Sequence, residues 1–236
     1  PTTTTPDTDL STPPANQTRP TDTNPGIFLP PPDQIRSIEE LQKLVEENPN
    51  NAALKAELAL AYLQAGQLED ARRIVQSEFR GARLPIAYIS AAERLMETEN
   101  MLLAIAVLQE GYMRFPNDTR IQTLLMTSLL ITQQPPRTIS DFLNLLETNS
   151  EQIDPAVPAM GEAYLALEED NPEEALQLLD TALQSATTSR AELLYMTGLV
   201  YKIQDQSDLA TDAFRAALQH NPAPWLEERI MTELEN

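Results

Sequence analysis

The sequence predicts an all-α protein in which pairs of helices repeat along the chain and stack into a solenoid. Two observations support this fold class. Small side chains recur at intervals of 33–37 residues between residues 52 and 224, and a helical apolar pattern begins at Ser37, behind a leader rich in Thr and Pro. Because one helix pair cannot bury its apolar face alone, the repeated pairs must stack on one another.

The first 35 residues predict a flexible leader. They are rich in Thr and Pro and lack apolar periodicity. Such a composition cannot bury enough surface to offset the loss of chain entropy, and its prolines favour a semi-stiff, extended spacer. Ile27, Phe28 and Leu29 form an apolar exception within it. These three residues are expected either to staple the leader onto the first helix or to form a docking motif for a partner.

The first helix is predicted to begin after Ser37. Ser37 and Glu40 have the spacing of a capping box, in which each side chain accepts a hydrogen bond from the other residue's free amide. Leu41 and Val45 then fall on one helical face, and Pro49 closes the element.

Five copies of one pattern follow this helix. Residues 191–224 show the pattern most completely, with Gly198, Tyr201, Ala210, Phe214, Ala217 and Pro222. This order of small residues, rings and a final proline resembles the tetratricopeptide repeat. The five copies are expected to start at Ala52, Pro85, Thr119, Asp154 and Ala191. The fourth copy, which keeps Gly161, Tyr164 and Ala175, is expected to carry two extra residues before its second helix.

The resemblance implies a right-handed α-α superhelix behind the leader. The expected organisation is a leader over 1–35, a solenoid over 36–236, an N-terminal helix over 36–50, repeats over 52–84, 85–118, 119–153, 154–190 and 191–224, and a capping helix over 225–236.

The residue types that support catalysis or metal binding are scarce. The chain has no cysteine, and its single histidine, His220, is expected to cap the end of a helix. Its six glycines form no phosphate-binding loop. We therefore expect a protein that is not an enzyme and that has no catalytic residue, metal or cofactor.

The formal net charge of −20 and the isoelectric point near 4.3 exclude two classes of partner. Nucleic acids and anionic membrane surfaces both require clustered cations, and this chain has none in its sequence. The acidity is interpreted either as a means of solubility or as a preference for basic partners.

The resemblance also implies that the first helices of the copies line a concave groove that holds another protein. The groove residues expected from it are Leu60, Leu63, Gln64, Ile86, Ile89, Glu93, Met96, Glu97, Leu130, Ile131, Glu162, Leu165, Glu192, Tyr195, Leu199, Lys202 and Ile203. This lining is apolar with glutamates, so the expected partner is an apolar protein segment or peptide that carries Lys or Arg.

The sequence therefore predicts a non-catalytic scaffold for protein–protein interaction, with a permanent structural accessory subunit of a larger complex as the alternative. The chain begins at Pro1 rather than Met, so we expect that a segment upstream was removed. Because Thr/Pro leaders often follow a lipid or membrane anchor, an extracytoplasmic location is expected, with a role in assembling an envelope complex. A cytoplasmic chain with a disordered tail is the alternative.

Overall fold

A computed structural model of the chain describes residues 36–74, 85–186 and 188–235. The leader, including Ile27, Phe28 and Leu29, lies outside the described residues. Within them the chain forms twelve helices and no strand, which confirms the predicted all-α solenoid. The helices are α1 (Ile38–Glu47), α2 (Ala52–Gln64), α3 (Leu68–Arg73), α4 (Pro85–Glu97), α5 (Met101–Arg114), α6 (Thr119–Ile131), α7 (Pro136–Asn149), α8 (Ala156–Glu168), α9 (Pro172–Ser185), α10 (Arg190–Ile203), α11 (Ser207–Leu218) and α12 (Pro224–Glu235).

The capping box that starts α1 is confirmed. The backbone amide of Glu40 donates to Ser37 Oγ at 3.2 Å, and the amide of Ser37 donates to Glu40 Oε2 at 3.3 Å. Leu41 and Val45 are buried against the first helix pair, as their shared face predicts.

The five helix pairs share one turn geometry. The first helix of each pair, α2, α4, α6, α8 or α10, is followed by a residue in the left-handed region, and these residues are Gly66, Glu99, Gln133, Asp170 and Asp205. The next amide then donates to the carbonyl five residues earlier at 2.8–3.0 Å, from Gln67 to Tyr62 in the first pair and from Gln206 to Tyr201 in the last. This Schellman cap satisfies carbonyls that a helix end would otherwise leave unpaired.

The same hydrogen bond fixes the register of the fourth copy. Its acceptor is Ala166, in the position that Tyr62 and Tyr201 hold in other copies. In this register the fourth copy starts at Ala156, the first residue of α8, two residues after the expected start at Asp154. The extra residues lie in the connection between α7 and α8 rather than before α9, because three residues separate α8 from α9, as they do α4 from α5.

Small residues let helices approach closely at several points of this stack. A Cβ atom at Gly198 would lie 2.6 Å from Cδ1 of Phe214, and one at Gly111 would lie 2.9 Å from Cβ of Tyr88. Gly161 instead faces the preceding pair, where its missing side chain leaves room for Met126. The large Met126 of the third copy is thus accommodated by a glycine of the fourth.

Helix α6 lies in the centre of the stack. All residues from Ile121 to Leu130 are buried, including four polar ones. Their side chains are paired: Thr127 and Ser128 donate to carbonyls one turn earlier, and Gln122 donates to the carbonyls of Pro116 and Gln152. A helix that is buried on all sides is surrounded by neighbouring pairs rather than lining an open groove.

Candidate partner-binding surface

The structure divides the expected groove residues into three groups. Ile89, Met96, Leu130, Glu192 and Tyr195 are buried in the core. Leu60, Glu93, Glu97, Ile131, Leu165 and Leu199 are half-buried, and Ile86, Glu162, Lys202 and Ile203 are exposed. The side chains of Leu63 and Gln64 lie outside the described residues. The five buried side chains are not accessible on a groove wall in this structure.

Arg120 joins three helix pairs through its ion pairs. It stands at the start of α6, where Nη1 donates to Glu192 Oε1 on α10 at 2.7 Å and Nη2 donates to Glu93 Oε1 on α4 at 2.9 Å. Burial lowers the pKa of Arg120, but the carboxylates of Glu192 and Glu93 outweigh burial and raise that pKa above its usual value. One guanidinium thus joins the second, third and fifth pairs.

The C-terminal helix closes the wall further. Helix α12 packs on α11 and also contacts α4, three pairs earlier in the chain. Lys202 Nζ, at the end of α10, donates to Glu233 Oε2 of α12 at 2.6 Å. Burial raises the pKa of Tyr195, and the positive charge of Arg229 on α12 partly lowers it. Helix α12 therefore covers part of the inner faces of α4 and α10.

A second polar network stabilises the loops before α8 and α10. Asp154 Oδ2 accepts hydrogen bonds from Thr188 Oγ1 at 2.9 Å and from Ser189 Oγ at 2.7 Å, and Ser189 also pairs with Thr123 of α6 at 3.0 Å. Asp154 Oδ1 accepts from the amide of Ala156 at 3.0 Å. These groups are paired with one another, and their arrangement serves packing.

The part of the chain that the structure describes contains no group of three His, Asp or Glu side chains placed to hold a metal ion. His220 is exposed just beyond α11. Over the same residues, no helix combines the length and apolarity that a membrane crossing requires.

An open cleft lies between α8 and α9. It has a volume of about 480 Å³ and is lined by Pro155, Pro158, Ala159, Glu162, Glu174, Gln177, Leu178, Thr181, Ala182 and Ser185. Ala159 and Ala182 are buried in its floor, and Leu178 is half-buried beside them. Glu162 and Glu174 are exposed at its edge. The cleft is apolar at its base and acidic at its rim.

The register of the fourth copy explains why Glu162 lies in this cleft. With the copy starting at Asp154, Glu162 takes a groove position, but a start at Ala156 rotates the helix by about 200° relative to that assignment. The sequence contains the signal for the later start. Ala163 precedes Ala175 by the same twelve residues that separate Ala92 from Ala104, whereas Gly161 precedes Ala175 by fourteen.

Comparison with known proteins gives a family match in the N-terminal part. The profile of the family Tetratricopeptide repeat matches residues 36–77. No curated protein matches the chain.

Three solved structures show its similarity to proteins of known fold. One is a chain of the APC/C hetero-tetramer Cut9–Hcn1, at 17% identity and a TM-score of 0.38, covering 84% of this chain and 39% of that one. Another is a tetratricopeptide repeat protein from Parabacteroides merdae, at 12% identity and 0.40, covering 84% of this chain and 77% of that one. The third is PilF of Pseudomonas aeruginosa, at 19% identity and 0.35, covering 83% and 90%.

Proposed function

We infer that this chain is a tetratricopeptide-repeat protein and acts as a non-catalytic scaffold that holds another protein. The observation that carries this inference is the stack of five helix pairs. Within each pair, the same left-handed turn connects the two helices. Stacked pairs present side chains from rigid helices over an extended surface, and that surface is how repeat proteins contact partners. The buried polar groups around Arg120 and Asp154 are engaged in holding helices together.

We place this scaffold outside the cytoplasm, where it would help to assemble or stabilise an envelope complex. The composition of residues 1–35 supports this location, since Thr/Pro-rich segments act as spacers between an anchor and a folded body. Determining the gene sequence upstream of Pro1 tests it. A lipid-anchor motif or a membrane helix there is the expected result, and a cytoplasmic domain directly upstream would contradict it.

Purification tests the scaffold function against the alternative of a permanent subunit. The chain is expressed alone, and its mass in solution is measured by light scattering after size exclusion. A scaffold is expected to be soluble and monodisperse alone and to capture its partner reversibly in a crosslinking pull-down from native membranes. A chain that precipitates alone, or that always copurifies with one protein at fixed stoichiometry, would instead indicate a permanent subunit.

A further inference from the structure

We propose, on the basis of that scaffold function, that the cleft between α8 and α9 is the partner-binding surface. Its occupant is a helical or extended protein segment that combines apolar side chains with Lys or Arg. The cleft replaces the inner wall as the binding site because Arg120 and α12 keep that wall closed.

The shape of the cleft fits a segment of chain. Its lining runs along α9 from Glu174 to Ser185, a length of roughly 16 Å at the helical rise per residue. Three turns of an amphipathic helix span this distance. The floor of Ala159 and Ala182 is made of small side chains, so it leaves room for larger apolar side chains from a partner.

The charge of the rim determines the polar part of the partner. Among the described residues that line the cleft, two are carboxylates and none is a cation. Glu162 lies on α8 and Glu174 near the start of α9, where Glu174 Oε2 accepts a hydrogen bond from Asn171 Nδ2 at 2.6 Å. Arg190, which lies beyond the end of α9, donates to the carbonyls of Leu183 and Ala186 and so caps the helix. Basic side chains on the partner would therefore meet two carboxylates in a lining without cations, which favours encounter and selects against acidic segments.

A binding experiment with model peptides tests the assignment on the whole chain. The probe is a fluorescein-labelled amphipathic peptide of Leu and Lys, about three helical turns long, and its counterpart has Glu in place of Lys. Fluorescence anisotropy is measured for the wild type and for Glu162→Lys/Glu174→Lys. Asp141→Lys/Glu147→Lys on α7 makes the same change in net charge at exposed positions outside the cleft and serves as the matched control.

The Lys peptide is expected to bind the wild type, and the cleft variant is expected to weaken it by about tenfold or more, since two attractions become two repulsions. The control variant should change the affinity by less than about twofold, because its charges lie outside the cleft lining and are screened by salt. Thr181→Trp, which fills the cleft without changing charge, should weaken binding as well. Circular dichroism and thermal melts verify that every variant is folded.

Two results would overturn the assignment. If the cleft and control variants lose affinity equally, the peptide responds to overall charge rather than to this surface. If Ile86→Asp/Ile203→Asp abolishes binding while the cleft variants retain it, the inner edge of the stack is the site. In either case a native partner that is still captured by the wild type leaves the scaffold function standing, so the two failures are distinguishable.

Discussion

Replacing Gly198 with alanine tests the packing within one helix pair. Gly198 of α10 faces the ring of Phe214 on α11. A Cβ atom added at Gly198 would lie 2.6 Å from Cδ1 and 2.9 Å from Cζ of that ring. A rigid aromatic ring cannot bend away from such a contact, so α10 and α11 must separate or the ring must leave its position.

The expected cost is the difference between two terms. Overpacking a well-filled core costs about 1–3 kcal/mol, and a clash with several ring atoms belongs at or above the upper end. Alanine in place of glycine within a helix stabilises the folded state by about 1 kcal/mol. Gly198→Ala should therefore destabilise the protein by about 2 kcal/mol, which lowers the melting temperature by roughly 4–8 °C in a chain of this size.

Gly161→Ala is the matched control, because it makes the same substitution in a helix. Its Cβ would lie 2.7 Å from Cε of Met126 and 3.1 Å from Cδ2 of Leu143. Both atoms end flexible side chains that can rotate away, so the helix-propensity gain should offset the clash and leave stability within about 1 kcal/mol of the wild type.

The assay is urea and thermal unfolding followed by circular dichroism at 222 nm, a wavelength that reports helix content. A second variant, Gly198→Ala/Phe214→Leu, removes the ring that causes the clash. Its destabilisation should be smaller than the sum of the two single changes. If Gly198→Ala is as stable as Gly161→Ala, or if the double variant shows no such coupling, the close approach of α10 and α11 is refuted.

Three further predictions concern the turn at Gln133, the ion pairs of Arg120 and the carboxyl group of Glu57. Gln133→Gly should raise stability by about 0.5–1 kcal/mol, because Gln133 has φ 50° and glycine adopts that region without strain. Arg120→Met should destabilise the chain by about 3 kcal/mol or more, since it leaves Glu192, only 3% exposed, without its cation. Burial raises the pKa of Glu57, although Arg36 and Arg94 partly lower it. The folded state thus holds this proton more tightly than the unfolded state, and the contribution to stability is lost as the pH rises from the usual Glu range through the raised value. Glu57→Gln should accordingly remove part of the decrease in melting temperature between pH 4 and pH 7.

Each of these predictions has its own control. Glycine at Glu147, within α7, should destabilise rather than stabilise, and stabilisation there would show that the effect at Gln133 is not conformational. Arg137→Met, on the exposed surface of α7, should leave the urea midpoint nearly unchanged; a loss equal to that of Arg120→Met would contradict the special role of Arg120. Glu147→Gln should preserve the pH dependence, and a Glu57→Gln variant with the wild-type slope would contradict the raised pKa.

The fold was predictable from sequence because small residues recur at matching positions in most of the helix pairs. Ala59, Ala71, Gly198 and Ala210 recur with a spacing that packed helices require. The turns were harder to recognise. At Gly66 the residue type itself indicates a left-handed conformation. The equivalent positions in the other copies carry Glu, Gln or Asp, and these residues adopt it because hydrogen bonds on both sides hold the turn.

The candidate surface was not predictable to the same degree, because it depends on contacts between distant parts of the chain. Arg120 and Glu192 are 72 residues apart, and no periodicity in the sequence indicates that they meet. Tyr195 and Met96, which the repeat pattern places on an open wall, are also buried in the folded chain. The fourth copy also starts two residues later than the repeat spacing suggests. Glu162 therefore lies in the cleft rather than in the expected groove.

The closure of the inner wall is tested most directly by measuring the distance between α4 and α12. The chain has no cysteine, so spin labels can be attached to Cys introduced at Ile86 and Met231, both exposed. Double electron–electron resonance should give a distance below about 25 Å, because these helices of 13 and 12 residues are in contact. An open stack would separate them by α6, α8 and α10, at roughly 32–40 Å for four interhelical spacings, and such a distance would contradict the closed wall.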